Sequence, residues 1–228
     1  MTGARGREAT ASAVDRRPGR ARRAAAALAI VVLVASQCSS DRDADRVAST
    51  LTERDRTLTL ESDTTRVVFD LAWGGAIREI WRDGENVVNN FDGGRLLAVS
   101  VYDGATTEGT EPGDTGWNPT PSDIHDHTNE PAAHEFEDGR LHLTARYLQW
   151  YPDNKGGGPS TAVPTEVVVE TWAEFLDDPS TLHLTYRVTN TGSESHRWAG
   201  QEFPFAYVRE PYRRFVTYAG DAPGRETR

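Results

Sequence analysis

Asp123-Ile124-His125-Asp126-His127, with Glu130 and His134 close behind, concentrates imidazoles and carboxylates in one short stretch. A His-x-His pair on an extended strand turns both rings to one side, a spacing that suits a divalent metal. The stretch lies within residues 104–135, which are rich in Gly, Pro, Asp and Trp and show almost no alternation. No fixed ligand geometry is expected there, so a solvated polar loop is the simpler reading and no metal is assigned. Glu202, beside Gln201 and ahead of Phe203-Pro204-Phe205, is the best general acid or base in the chain, with His125 or His127 as its partner. Glycoside cleavage would ask for a second carboxylate near Glu202, from Asp92 or Asp123.

A second set of residues suits binding. Trp117, Asn118, Trp150 and Tyr151 sit at or beside irregular segments, and Asp92 and Arg95 flank a glycine turn. Sugars have apolar ring faces and a rim of hydroxyls, and their sites pair aromatic platforms with carboxylates, amides and guanidinium groups. Asp92, Arg95, Trp117, Asn118 and Trp150 are therefore the candidate saccharide contacts. Plainer roles stand beside these. Asp92 would cap its turn, Arg95 would pair locally, and either tryptophan would pack in the core beneath a loop.

Composition narrows the field. Of 228 residues, 37% are hydrophobic and 26% charged, which suits a folded chain. Lys and Arg number 25 against 35 Asp and Glu, a net charge of −10, and an acidic chain is poorly suited to nucleic acid. One cysteine excludes an internal disulfide framework. No phosphate-binding glycine loop, nucleophile elbow or dinucleotide fingerprint occurs, and no cofactor is expected.

The positive charge gathers at the start. Seven arginines face only Glu8 and Asp15 in residues 1–37, a net of +5, so the remaining residues carry −15. The apolar run AAAALAIVVLVA, Ala24 to Ala35, follows. It is too short to span a bilayer and has the length of a signal-peptide core. Residues 1–37 are read as a signal peptide, residues 38–56 as a polar linker, and residues 57–228 as the folded domain. Cys38 sits where a bacterial lipoprotein carries its lipid, although Gln37 and Ala35 depart from the usual lipobox; ordinary cleavage after Ser36 is the alternative. The chain is expected to be exported across the bacterial inner membrane and to meet a membrane only through an anchor at Cys38.

From residue 57 the period is two. Leu58 and Leu60, Val67 and Phe69, Val167 to Phe175 at odd positions, and Leu182 to Val188 at even positions each line one face. In Leu141–Tyr151 the phase slips near Tyr147, as a β-bulge would cause. Asp83-Gly84 and Asp138-Gly139 read as hairpin turns. Many antiparallel strands joined by short turns give an all-β fold, an antiparallel β-sandwich.

Particular residues resemble a known group. Trp73-Gly74-Gly75-Ala76-Ile77, Asn89 to Leu96, Trp117-Asn118-Pro119, Thr165 to Trp172 and Gln201-Glu202-Phe203-Pro204 are similar to segments of uncharacterised secreted bacterial proteins with a galactose mutarotase-like sandwich. The resemblance implies a supersandwich, incomplete at the C-terminus because too few strands precede Arg228, and a carbohydrate as partner. The paired histidines and late glutamate of mutarotases proper have no residue-by-residue match here. Carbohydrate binding or processing is the expected role. The alternatives are an active epimerase, lyase or glycosidase, and a structural or degenerate domain.

Overall fold

The computed structural model describes residues 30–32, 46–91, 96–103, 116–130, 132–196 and 199–214. In chain order its strands are β1 (Ile30–Val32), β2 (Thr50–Arg54), β3 (Thr57–Glu61), β4 (Thr65–Asp70), β5 (Ala76–Arg82), β6 (Glu85–Asn86), β7 (Leu97–Asp103), β8 (Pro119–Thr120), β9 (Ala133–Glu137), β10 (Arg140–Gln149), β11 (Pro164–Phe175), β12 (Leu182–Asn190) and β13 (Ala199–Ala206). Among the described residues they form two sheets. The first has the order β1-β12-β11-β10-β8, with β9 also on β10; the second has the order β13-β7-β5-β4-β3-β2, with β6 on β5. All pairings are antiparallel except that of β1 with β12. The protein is an all-β sandwich.

Alternation puts the apolar set inside. Leu58, Leu60, Val67, Phe69, Ile77 and Ile80 from the second sheet meet Leu141, Leu143, Ala173, Phe175, Leu182 and Leu184 from the first. Each such side chain contributes about 1.5–3 kcal/mol through its removal from water. Further along the core, Tyr147 packs with Val99, Val167 and Val169. Burial pushes the Tyr147 and Tyr186 phenols far above the ordinary tyrosine range.

The turns follow from local chemistry. Asp138 and Gly139 both take positive φ, 49° and 78°, and close β9 onto β10 with Glu137 opposite Arg140. Asp83 and Gly84 do the same between β5 and β6. The expected bulge lies between Arg146 and Leu148. β11 and β12 form a hairpin from Phe175 opposite Leu182 to Val167 opposite Asn190.

The first boundary needs correcting. The fold does not open at residue 57 after a linker over 38–56. Arg46 bridges Leu176, the Val47 amide donates to the Phe175 carbonyl at 3.0 Å, and β2 pairs with β3 along its length. Asp55 and Arg56 make the connecting turn at φ of 49° and 64°, without the glycine or asparagine that marks such turns. β2 is also an edge strand on which Leu51 alone packs toward the core, so its sequence shows no alternation. Ile30–Val32, inside the run read as a leader core, form β1 beside β12; the rest of residues 1–45, Cys38 included, lies outside the described residues.

On the outer face of the first sheet, Glu174 is buried. Arg46 Nε lies 2.8 Å from it, Arg140 Nε 3.5 Å and His183 Nδ1 3.6 Å. Burial pushes its carboxyl up, but His183, Arg140 and Arg46 together outweigh that and hold it below the ordinary glutamate value. In the next row the Trp172 ring lies parallel to His142 at 4.6 Å, with Arg140 and Arg187 also against it.

Candidate functional site

The site begins where the two sheets are joined. Past its bulge, β10 pairs with the two-residue strand β8, Leu148 opposite Thr120 and Gln149 opposite Pro119. The same short strand lies against β7. Ser100 donates its hydroxyl to Asn118 Oδ1 and to the Pro119 carbonyl, each at 3.1 Å. From the first sheet, buried Gln149 accepts from the Asn118 amide at 3.1 Å and donates to the Gly116 carbonyl at 3.4 Å. The Trp150 amide donates to the Asn118 carbonyl at 2.8 Å, and the Ile124 amide donates to the Trp150 carbonyl at 3.1 Å. Asn118 is thereby fixed by both sheets.

A groove of about 490 Å³ opens beside it. Its floor is the outward face of β7 and β13, where Glu202 stands opposite Ser100 and Phe205 opposite Ala98, with Tyr102 further along β7. The register slips between Glu202 and Phe205, and the peptide joining Phe203 to Pro204 is cis. Trp150 and Tyr151 form one wall, their rings edge to face at 6.1 Å. Tyr207 stands at the other, its ring 6.1 Å from Phe205 and also edge to face. Among the described residues Glu202 is the one charged side chain that lines the groove.

The histidines brace the rim instead of facing Glu202. His125 Nε2 lies 3.0 Å from Asp153 Oδ2. His127 Nδ1 lies 2.8 Å from Asp123 Oδ2, and its Nε2 lies 3.2 Å from the Pro159 carbonyl. Asp123 is fully buried, and its other oxygen accepts the amides of His125 and His127 at 3.0 and 3.2 Å. These contacts tie residues 123–127 to 153–159. The latter stretch overlaps a 3-10 turn at Pro152–Lys155. It turns so tightly that a Cβ on Gly157 would come within 2.6 Å of the Thr161 carbonyl. The pairing of Glu202 with a histidine is not formed: neither imidazole lines the groove. His134 faces Glu53 at 3.6 Å, and no metal-ligating group of three converges among the described residues.

Trp117 goes the other way. It packs under the apolar end of the core with Val101, Val188 and Phe203, and its ring stacks on His196 at 3.6 Å and 10°. The hollow beside it, about 440 Å³, is bordered by Val101, Val167 and Val188. The structure thus brings Asn118, Trp150 and Glu202 together and separates Trp117 from them. Asp92 and Arg95 lie outside the described residues.

No protein-family model matches the chain. No curated protein matches it. Among solved structures it is similar to the crystal structure of a 4-alpha-glucanotransferase from Thermococcus litoralis, at 13% identity and a TM-score of 0.35 over 63% of this chain. The match spans 24% of that enzyme's length.

Ser100, Tyr102, Phe205 and Tyr207 were not among the sequence candidates. In Leu97–Asp103, LAVSVYD, the alternation sets Ala98, Ser100 and Tyr102 on one face and Leu97, Val99 and Val101 on the other. That signal was present. What the period does not state is that the face holding Ser100 and Tyr102 looks into a groove.

Proposed function

We propose that this sandwich is a carbohydrate-binding domain whose saccharide lies in the groove between Trp150–Tyr151 and Tyr207, over Glu202 and Asn118. One observation carries the reading: aromatic rings from three separate stretches border a single open groove around a fixed amide and a carboxylate. Rings take the apolar faces of a pyranose, while the amide and carboxylate take its hydroxyls. The resemblance of several segments to galactose mutarotase-like sandwiches supports the same partner. Binding suits the groove better than hydrolysis, which requires two carboxyl groups flanking one bond. Among the described lining residues there is one, Glu202.

In this reading the domain acts outside the inner membrane, delivered by a leader over residues 1–37 whose removal takes Ile30–Val32 from beside β12, and held at the cell surface when Cys38 carries lipid. Intact-mass measurement of native material tests this; a mature protein retaining residues 1–30 ends the export reading. For the site, the full chain is screened on a glycan array and the best ligand is titrated against Trp150→Ala. Losing one platform costs on the order of 1–3 kcal/mol, about five- to a hundredfold in affinity. The melting temperature is expected to change little, since the ring stands at the groove wall. Unchanged affinity in Trp150→Ala, or no glycan bound at all, defeats the proposal.

A further inference from the structure

Glu202 has no hydrogen-bond or ion-pair partner among the described residues, and no lysine, arginine or histidine joins it on the described groove lining. An exposed carboxylate without a partner among the described residues, in a groove also lined by Tyr102, Trp150, Tyr151 and Tyr207, combines two features that attract a cation: a full negative charge and the negative faces of aromatic rings. The sequence nearby leans the same way. In sequence, residues 104–115 between Asp103 and Gly116 carry Glu108, Glu111 and Asp114 with no base. Beyond residue 37 the chain carries −15, a field that repels uronates and sulfated sugars.

We propose that the ligand is a sugar bearing a protonated amine, its ammonium paired with Glu202 and its ring lying against the aromatic walls. This rests on the saccharide reading of the same groove and narrows it to an amino sugar. An acetylated amine lacks the charge and leaves the carboxylate unsatisfied on binding. A neutral hexose gains only hydroxyl contacts to it. A charge-assisted contact on an open groove gives a preference of roughly five- to tenfold.

The experiment titrates the full chain at mildly acid pH with a glucosamine oligomer, its N-acetylated counterpart, the matching glucose oligomer and spermidine. The glucosamine oligomer should bind tightest by that factor, and the advantage should shrink as salt is raised. In Glu202→Gln the advantage should vanish, the glucosamine oligomer falling to the affinity that the glucose oligomer shows for the same variant. The salt series on the wild type reads the charge contribution without the variant. Equal affinity for the amino and neutral oligomers overturns the inference yet leaves a saccharide site standing. Tighter binding of the N-acetylated oligomer does the same. Spermidine binding as tightly as the amino sugar overturns it too, by revealing general attraction of cations. Absence of all sugar binding removes the inference and the underlying reading together.

Discussion

Trp117 and Asn118 are neighbours in the chain, yet they serve hollows of different character. The two hollows are close in size, about 490 and 440 Å³. On Asn118's side an amide, a carboxylate without a partner among the described residues, and several tyrosine and tryptophan rings border open space. On Trp117's side the border includes core valines, and the one large ring is already stacked on His196. Size therefore does not mark a ligand site here. The second hollow also carries a carboxylate, Glu194, so what separates the two is the set of aromatic rings that borders the first.

The sharpest way to break that contrast is Trp117→Ala. Removing a ring that packs at the end of the core should cost about 3 kcal/mol, a fall of roughly 6–12 °C in melting temperature, while sugar affinity survives wherever the chain is folded. Lost binding with an unchanged melt would move Trp117 to the ligand. Trp150→Ala is its mirror, with binding weakened and the melt nearly kept. A reversal of the two outcomes would exchange the roles of the hollows.

The smallest effect tests the frame beneath both. The Glu174 carboxyl is held below its ordinary value in the folded chain, so its contribution is present above the unfolded value and is lost as pH falls through the folded one. Glu174→Gln should cost about 1 kcal/mol near neutral pH, and its stability should converge with the wild type in acid. Parallel curves across that range would show that Arg46, Arg140 and His183 do not act through this carboxylate.

Most of the sandwich was legible because inward and outward positions alternate along β11 and β12 and along β10 as far as its bulge. Even the slip near Tyr147 was visible as a change of phase. β2 was hidden, since an edge strand with one inward leucine shows no alternation, and its turn, Asp55-Arg56, lacks the glycine that follows aspartate in the other hairpins. The site was legible in part. Trp150, Asn118 and Glu202 stood out as residue types that touch sugars, and they do border one groove. Tyr102, on β7, and Tyr207, just past β13, did not, because a tyrosine on or beside a strand looks the same from the sequence whether its face is covered or open. The histidines misled for a related reason. Their spacing suggested shared chemistry, but buried Asp123 and the carbonyl of Pro159 had claimed His127, and Asp153 had claimed His125.

The fastening of Asn118 has a thermodynamic consequence. Its carbonyl, amide and side-chain oxygen are all engaged by Trp150, Gln149 and Ser100 within the sandwich itself. The conformational freedom of this loop residue is surrendered during folding, so an incoming ligand does not have to restrain it. What association must still quiet is the motion of the wall side chains, on the order of 0.5–1.5 kcal/mol for each one immobilised. A shallow, open groove can in this way hold a small ligand without a closing lid, and capture need not wait for a slow rearrangement of the chain.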